Sequence, residues 1–409
     1  HFKNEEKALQ YADNLNSFLA SNITTEVELD RHYKIHEIID SKDYIIRLKK
    51  RKKILLGIII TILIILLAGA GYTYHLINTA EQKLEKTYKP FKGKTNQEDI
   101  IEATKPMTIL LMGVDTGSEE RKDTWEGNSD SMIVMTINPK TKKTSMTSLE
   151  RDILTEIDDN GTKREAKLNS AYQTGGIELA TSTIEKLLNV EFDHYMLINM
   201  KGLIQLVDAV GGIEVNNELG FPISIAENEP EFKATVEPGQ QHINGEQALV
   251  YSRMRYQDPE GDYGRQKRQR EVIKAIIKKM LSLDSLNNYN KILEAISNNI
   301  QTDIPLNSSN LLKLMGYKDS LNNIEQFQLT GTDSIINGVS YQIADSENLL
   351  DIQNKIRKEI DKETLTDLKS NAIINGKTSN QEQELETTNT TNNNENTSTD
   401  ESYFTYQAE

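Results

Sequence analysis

The sequence predicts an α/β domain, a sheet with helices on both faces, carried behind a single N-terminal transmembrane helix. Two patterns predict it. Strand-like apolar runs alternate with helix-spaced segments from about residue 106 to 362, the order that lays helices on both faces of a sheet. Ahead of them Ile54–Gly71 (ILLGIIITILIILLAGAG) carries no charge. At about 1.5 Å per residue this run rises about 27 Å, and its flank through Ile77 completes a hydrocarbon core of roughly 30 Å. A buried core helix is rarely apolar on every face.

The charge pattern orients the span. Lys49-Lys50-Arg51-Lys52-Lys53 abuts its N-terminal end, whereas no charge follows it until Glu81. The positive-inside rule therefore places residues 1–53 in the cytoplasm, residues 54–77 in the membrane and the rest outside. A cleaved signal peptide ending near Ala68-Gly69-Ala70 would need a leading region of more than fifty residues, so a retained signal anchor is the reading adopted. Residues 78–105, rich in Lys, Glu, Thr and Asn, read as an extracellular stalk. The compact domain follows over 106–362, and residues 363–409 read as a disordered polar tail with little to bury.

Within the domain, Met107–Val114, Ser131–Ile137 and Thr144–Leu149 are strand candidates, the second closed by Asn138-Pro139. Gly176–Leu188 has helical spacing, Tyr195–Asn199 is strand-like, and Lys201–Val210 is a helix that Gly211-Gly212 stops. That glycine pair follows a helix, so it predicts a C-terminal cap and not a phosphate loop. Ile213–Val215 starts another strand.

Composition removes several chemistries. The 409-residue chain has no cysteine, which excludes disulfide scaffolds, thiol nucleophiles and cysteine-zinc sites. Lys+Arg 47 against Asp+Glu 62 gives a net charge of −15, which argues against coating nucleic acid. Neither HExxH nor GxSxG occurs, leaving metalloprotease and serine-hydrolase templates without a foothold.

The informative stretch is Ala248–Lys279, ALVYSRMRYQDPEGDYGRQKRQREVIKAIIKK. From Arg253 to Lys279 nine basic residues face four acidic ones, in a chain that is otherwise acidic. Leu249–Tyr256 alternates as a strand does, which would put Tyr251, Arg253 and Arg255 on one face. Asp258-Pro259-Glu260-Gly261 is a turn, and a helix follows Gly264. Its inward stripe of Val272, Ile273, Ile276, Ile277 and Met280 extends back to Gln269, Arg268 and Arg265. Forked guanidinium groups from two elements, one near a helix start, suit a phosphate or diphosphate. Neutralisation by Asp258, Glu260 and Asp262 is the other reading of the same residues.

Carboxylates stand in the right company. Asp115 ends one strand and Asp130 opens the next, so the hairpin would bring both to one sheet edge. A hard divalent cation held by few carboxylates plus phosphate oxygens, as Mg²⁺ prefers, fits such a pair. Arg151-Asp152 follows the third strand at a comparable level.

Six segments occur together and in order: LLMGVD, SDSMIVMTINP, SLERD, KLNSAYQTGG, DHYMLINMKGLIQLVDAVGGIEV and PGQQHINGEQALVYSRMRYQDPEGDYGRQKRQR. Behind a signal anchor, this set resembles the LytR–CpsA–Psr family of cell-envelope proteins over residues 106–280, with a weaker match to about 362. The resemblance implies a three-layer α-β-α sandwich with a central mixed sheet. It also implies an extracytoplasmic phosphotransferase that moves a glycopolymer, such as wall teichoic acid or capsule, from a polyprenyl diphosphate carrier to a peptidoglycan hydroxyl. Carried over by motif, Asp115 and Asp130 would hold Mg²⁺, with Mn²⁺ as a substitute. Asp115, Arg151, Asp152, Arg253 and Arg255 would be catalytic, with Lys167, Asp262, Arg265, Arg268 and Gln269 around the diphosphate. Ile177–Leu188 and Leu203–Val210 would wall an apolar slot for the lipid tail. The family commonly has proline before the Arg-Asp pair, where this chain has Glu150, a carboxylate that would either repel phosphate or pair with Arg151.

Three rival functions stand beside it: a hydrolase that cleaves the carrier diphosphate with water and would share nearly all these residues, a membrane-anchored transcriptional regulator that would need its nucleic-acid surface within residues 1–53, and a lipid-binding scaffold without turnover. For the transferase, Asp115 or Asp152 would take the acceptor proton. The partners implied are the lipid-linked donor, the peptidoglycan acceptor and the bilayer, with no nucleic acid.

Overall fold

A computed structural model describes residues 5–22, 88–90, 104–118, 125–281, 292, 297–304, 313, 316–374 and 376–378. The apolar run at 54–71, most of the stalk and the end of the polar tail lie outside these residues. Among the described residues no helix is long and apolar enough to cross a membrane. The chain divides into two units, His1–Asn78 and Thr79–Glu409. In the first unit the described residues form one helix, α1 (Glu5–Asn22).

The second unit is built on a six-stranded mixed sheet. Its strands are β1 (Met107–Val114), β2 (Ser129–Asn138), β3 (Lys143–Ser148), β6 (His194–Asn199), β9 (Ile300–Thr302) and β10 (Ile324–Gln328), in the order β10-β3-β2-β1-β6-β9. β1 runs antiparallel to β2 and parallel to β6, and β10 runs parallel to β3. Both faces are covered, as the alternation of elements requires. Leu110, Met112, Val114, Met132 and Val134 pack toward α2 (Ser170–Leu188) and α6 (Ser346–Glu359). The intervening Met107, Ile109, Ile133, Met135 and Ile137 face the other way, against Ile273 and Ile277 of α5 (Asp262–Met280). That is the period-2 logic of strands buried on both sides.

Four two-stranded pairings flank this sheet among the described residues: β4 (Leu154–Asp159) with β5 (Thr162–Lys167), β7 (Ile213–Asn217) with β8 (Gly239–Ile243), β11 (Gly331–Ile336) with β12 (Val339–Ala344), and β13 (Ile373–Ile374) with β14 (Lys377–Thr378). α3 (Met200–Ala209) starts at Asn199, whose side chain accepts from the Gly202 N–H at 2.8 Å. It ends as the sequence predicts, with Gly211 and Gly212 both left-handed (φ 83° and 82°) and their N–H groups bonded back to Asp208 and Val207.

Four sequence expectations need correction. Leu249–Tyr256 is not a strand: α4 (Gly245–Arg253) covers most of it, started by a capping box in which Asn244 and Gln247 exchange side-chain and backbone bonds. Tyr251 therefore points into the core, bonded to Asn216 O and Glu271, away from Arg253 and Arg255. The helix read over Gly176–Leu188 begins earlier, at Ser170, and kinks at Gly175-Gly176. The domain does not stop at 362, because Ser370, Asn371, Ala372 and Ile373 are buried and Asn371 donates to Glu156 O and Thr183 O. Nor is 78–105 wholly a stalk: Tyr88 bridges Thr302 of β9, and Tyr195 OH donates to Lys89 O.

Candidate active site

The β1–β2 hairpin and the start of α5 meet at one end of the sheet, and the charged residues gather there. Asp115, Asp130, Arg151, Arg253, Arg255, Arg265 and Gln269 line one cavity of about 390 Å³. Register explains the first two. Val114 pairs with Ser129 and Gly113 with Ser131, so Asp130 is the bulged residue between them, and Asp115 follows Val114 at the same sheet end. The Asn128 N–H donates to Asp115 Oδ1 at 2.8 Å.

The guanidinium groups come from three elements. Arg151, just after β3, pairs with Asp130 Oδ1 at 2.7 Å. Arg265, in the first turns of α5, pairs with Asp262 Oδ1 at 2.7 Å and donates to Asp130 O at 3.3 Å. Arg253, the last residue of α4, is gripped by both oxygens of Glu229 at 2.9 Å. Arg255 lies over the Tyr256 ring at 4.6 Å. Arg151 Nε and Arg265 Nε are buried donors without a hydrogen-bond acceptor. A buried donor left unsatisfied costs about 1–3 kcal/mol, and a phosphate oxygen would satisfy both.

Electrostatics follow from this packing. Burial pulls the Arg265 guanidinium below its ordinary value, and neighbouring Arg151 adds to the pull against Asp262. Desolvation also works against Arg151, but Asp130 and Asp262 override it and hold Arg151 above its ordinary value. Asp262 is desolvated too, yet Arg265, Glu150 and Gln266 hold it below the usual carboxylate range.

A second cavity, about 310 Å³ and apolar, opens from the same place. It runs between the β1–β2–β6 face and α3, α4 and α5, lined by Leu111, Ile133, Leu203, Leu206, Val272 and Ile276 among others. Asp115, Asp130, Arg253 and Gln269 belong to both cavities, so the mouth of the apolar slot is the floor of the charged one. Leu203–Val210 contributes a wall as the sequence suggests. Ile177–Leu188 does not: that stretch of α2 packs on the opposite face of the sheet, with Leu110 and Met112. The missing wall is the apolar stripe of α5.

Of the other residues singled out in the sequence, Asp152 and Lys167 form an ion pair at 2.9 Å on the far side of Arg151, in an adjoining groove. Asp262 stands behind Arg265 and lines none of these cavities. Arg268 does not line the charged cavity. It is buried against Asp258 and donates to the backbone oxygens of Tyr251 and Met254, tying the C-terminal end of α4 to α5. For this arginine, neutralisation by the local carboxylates is the correct reading.

Sequence reasoning missed Glu229, which aims Arg253 from the loop between β7 and β8. No periodicity or motif marks that loop, so nothing in the sequence signals the pairing. Glu150, noted as a departure from the family, does not pair with Arg151, whose carboxylate partners are Asp130 and Asp152. It is 2% exposed and accepts from Gln266. Burial, reinforced by the neighbouring Asp262 carboxylate, pushes its carboxyl up to about 8. At neutral pH the folded protein thus holds a proton that the unfolded chain has released. Stability from this group is complete below the ordinary carboxylate range and is lost as pH rises toward 8. Calorimetry of the purified chain should show Tm falling from pH 5 to pH 8, with a smaller fall in Glu150→Gln. Equal slopes in the two proteins would contradict the assignment.

Among the described residues no group of three or more His, Cys, Asp or Glu forms a metal cage. Asp115 and Asp130 alone suit a hard cation that takes most of its oxygens from a ligand.

Residues 71–358 match the model of the LytR_cpsA_psr family. The chain is similar to Biofilm regulatory protein A of Streptococcus mutans, at 52% identity over 80% of this chain and 82% of that protein. It is 41% identical to the polyisoprenyl-teichoic acid–peptidoglycan teichoic acid transferase TagU of Enterococcus faecalis, over 76% of this chain and 99% of the relative. Among solved structures it is similar to TagT bound to LIIa-WTA, with TM-score 0.55 and 25% identity, over 67% of this chain and 97% of that one.

Proposed function

The chain belongs to the LytR_cpsA_psr family, and from that premise we propose that it is a membrane-anchored, extracytoplasmic phosphotransferase. It moves a glycopolymer from a polyprenyl diphosphate carrier to a peptidoglycan hydroxyl. The observation that carries this reading is the shared mouth of the two cavities: an apolar slot opens directly onto converging arginines and paired carboxylates. A ligand matching both halves has a long hydrocarbon tail and a doubly charged phosphate head. The TagU relative's name supplies the same donor and acceptor classes.

In this reading Leu203, Leu206, Val272 and Ile276 bury the proximal isoprene units. Arg151, Arg253, Arg255 and Arg265 hold the two phosphates, with Gln269 at the slot mouth. Glu229 and Asp262 position Arg253 and Arg265 without touching the substrate. Asp115 and Asp130 would hold Mg²⁺, or Mn²⁺ in its place, and such a cation supplies charge neutralisation at the diphosphate oxygens when bound. The acceptor hydroxyl oxygen bonds to the phosphorus that carries the glycan, and the bond from that phosphorus to the bridging oxygen breaks. The bond pair leaves with polyprenyl phosphate, where the arginines meet the growing charge. Asp152, held by Lys167 and beside Arg151, receives the acceptor proton.

The test is product analysis. The purified full chain in detergent, given a lipid-linked glycan donor, Mg²⁺ and peptidoglycan, should yield polymer covalently joined to peptidoglycan in step with polyprenyl phosphate. Release of the phosphorylated glycan at the same rate with and without peptidoglycan would make it a hydrolase instead.

A further inference from the structure

A third cavity meets the other two at the Asp115/Asp130 corner; it shares Arg151 with the charged cavity but reaches neither the apolar lining of the slot nor Arg253, Arg255 or Arg265. It is an open groove of about 560 Å³, lined beyond that corner by Asp152, Arg164, Lys167, Asn169, Gln173 and Tyr341. Its make-up differs from both neighbours. Beside Arg151 and Arg164 it presents planar amides, a hydroxyl from Ser170, one aromatic ring and the Asp152–Lys167 ion pair, in place of Arg253, Arg255 and Arg265 and of the aliphatic slot. Such a wall suits a sugar: a ring face covers the C–H side of a pyranose, and fixed polar groups meet its hydroxyls and amides.

Backbone hydrogen bonds and one ion pair hold the elements of this wall. Tyr341 lies on β12, and its neighbour Gln342 donates its backbone N–H to Asp152 O at 2.9 Å. That bond sets the hairpin beside the proposed proton acceptor. Lys167 Nζ sits 5.8 Å from the Tyr341 ring centre and 2.9 Å from Asp152. Asn169 donates its backbone N–H to Arg151 O at 3.1 Å, fixing the start of α2 and hence Gln173 one turn on.

Location decides which sugar. The groove shares Asp115 and Asp130 with the slot, but not Arg253 or Gln269, which flank the slot mouth. It therefore approaches the carboxylate pair from the side away from the leaving lipid. In-line displacement brings the nucleophile in opposite the leaving group. We infer that this groove is the acceptor subsite, which binds a peptidoglycan glycan strand with a pyranose against Tyr341 and presents its hydroxyl to Asp152. The inference rests on the phosphotransferase reading. It further assigns acceptor selection to the β11–β12 hairpin and to α2.

The test separates binding from turnover. Soluble uncross-linked peptidoglycan strands are titrated against the full chain without donor, by calorimetry, for wild type, Tyr341→Ala, Tyr341→Phe and Gln173→Ala. The expected result is about a tenfold loss of affinity in Tyr341→Ala and Gln173→Ala, with Tyr341→Phe retained, since the ring face and not the hydroxyl makes the contact. Equal affinity in all four proteins overturns the subsite, and Gln173→Ala keeps the test open if the hairpin variant does not fold. In the transfer assay the same two losses should appear as a raised acceptor KM with the donor KM in place. A raised donor KM instead would give the groove to the donor glycan and overturn the proposal. Strand binding that follows the expected order without any polymer transfer would defeat the phosphotransferase reading alone.

Discussion

Asp130→Ala is expected to lower polymer transfer by about 10²–10³-fold, the usual cost of one lost charge-stabilising group in a phosphoryl- or acyl-transfer site. Two losses combine in this variant. One of the two carboxylates that would hold the cation disappears, and Arg151 loses the partner that fixes it at 2.7 Å. Arg151 is only 15% exposed, so its guanidinium would have to reorient toward Asp152 or take up solvent. The fold should survive, because Asp130 is the unpaired bulge residue near the start of β2, and the ladder holds through Ser129, Ser131 and Met132 on either side of it. The check is kcat and donor KM on the purified chain, with circular dichroism to confirm folding. A folded Asp130→Ala protein with wild-type turnover would remove this residue from the chemistry.

Arg268→Ala should instead act on stability. Its partner Asp258 is 2% exposed, Arg268 itself 7%, and the same guanidinium caps two backbone oxygens. Removing one member of a buried ion pair typically costs about 3–5 kcal/mol, because the remaining charge is stranded. For a domain of this size that corresponds to a fall in Tm on the order of 10 °C. Scanning calorimetry decides it. An unchanged Tm together with lost diphosphate binding would return Arg268 to the phosphate pocket, as the sequence alone suggests.

The contrast between Arg265 and Arg268 shows where sequence reading runs out. Both are arginines on one helix, three residues apart, and both are buried. What separates them is the neighbour that each meets. Arg265 looks along the helix start toward Asp130, whereas Arg268 is captured by the carbonyl end of α4. That capture depends on Tyr251 and Met254 lying at the end of a helix, and the apparent alternation of Tyr251, Arg253 and Arg255 hides the helix. The signal against a strand is local and present, since Asn244 with Gln247 three residues on forms a capping box.

Central strands were legible because burial on both faces leaves continuous apolar runs, as in ILLMGV and MIVMTI. Amphipathic helices are less informative about placement. The α2 stripe reveals that one face is buried, but not which side of the sheet buries it, so of the two wall segments the sequence suggests only Leu203–Val210 lines the slot. The carboxylate pair was legible for a stronger reason: a two-stranded hairpin with acids at both ends of its loop leaves few other placements. The segment at 370–373 was not, because polar Asn371 earns its burial through two backbone oxygens that only the folded chain brings near.

The most direct test of the central claim is a crystal structure of the chain with geranylgeranyl diphosphate and Mg²⁺. The account predicts the diphosphate within hydrogen-bond reach of Arg151, Arg253 and Arg265 beside Asp115 and Asp130, and the prenyl chain between Leu203 and Ile276. A prenyl chain bound outside that slot, or a diphosphate remote from the two aspartates, would contradict it.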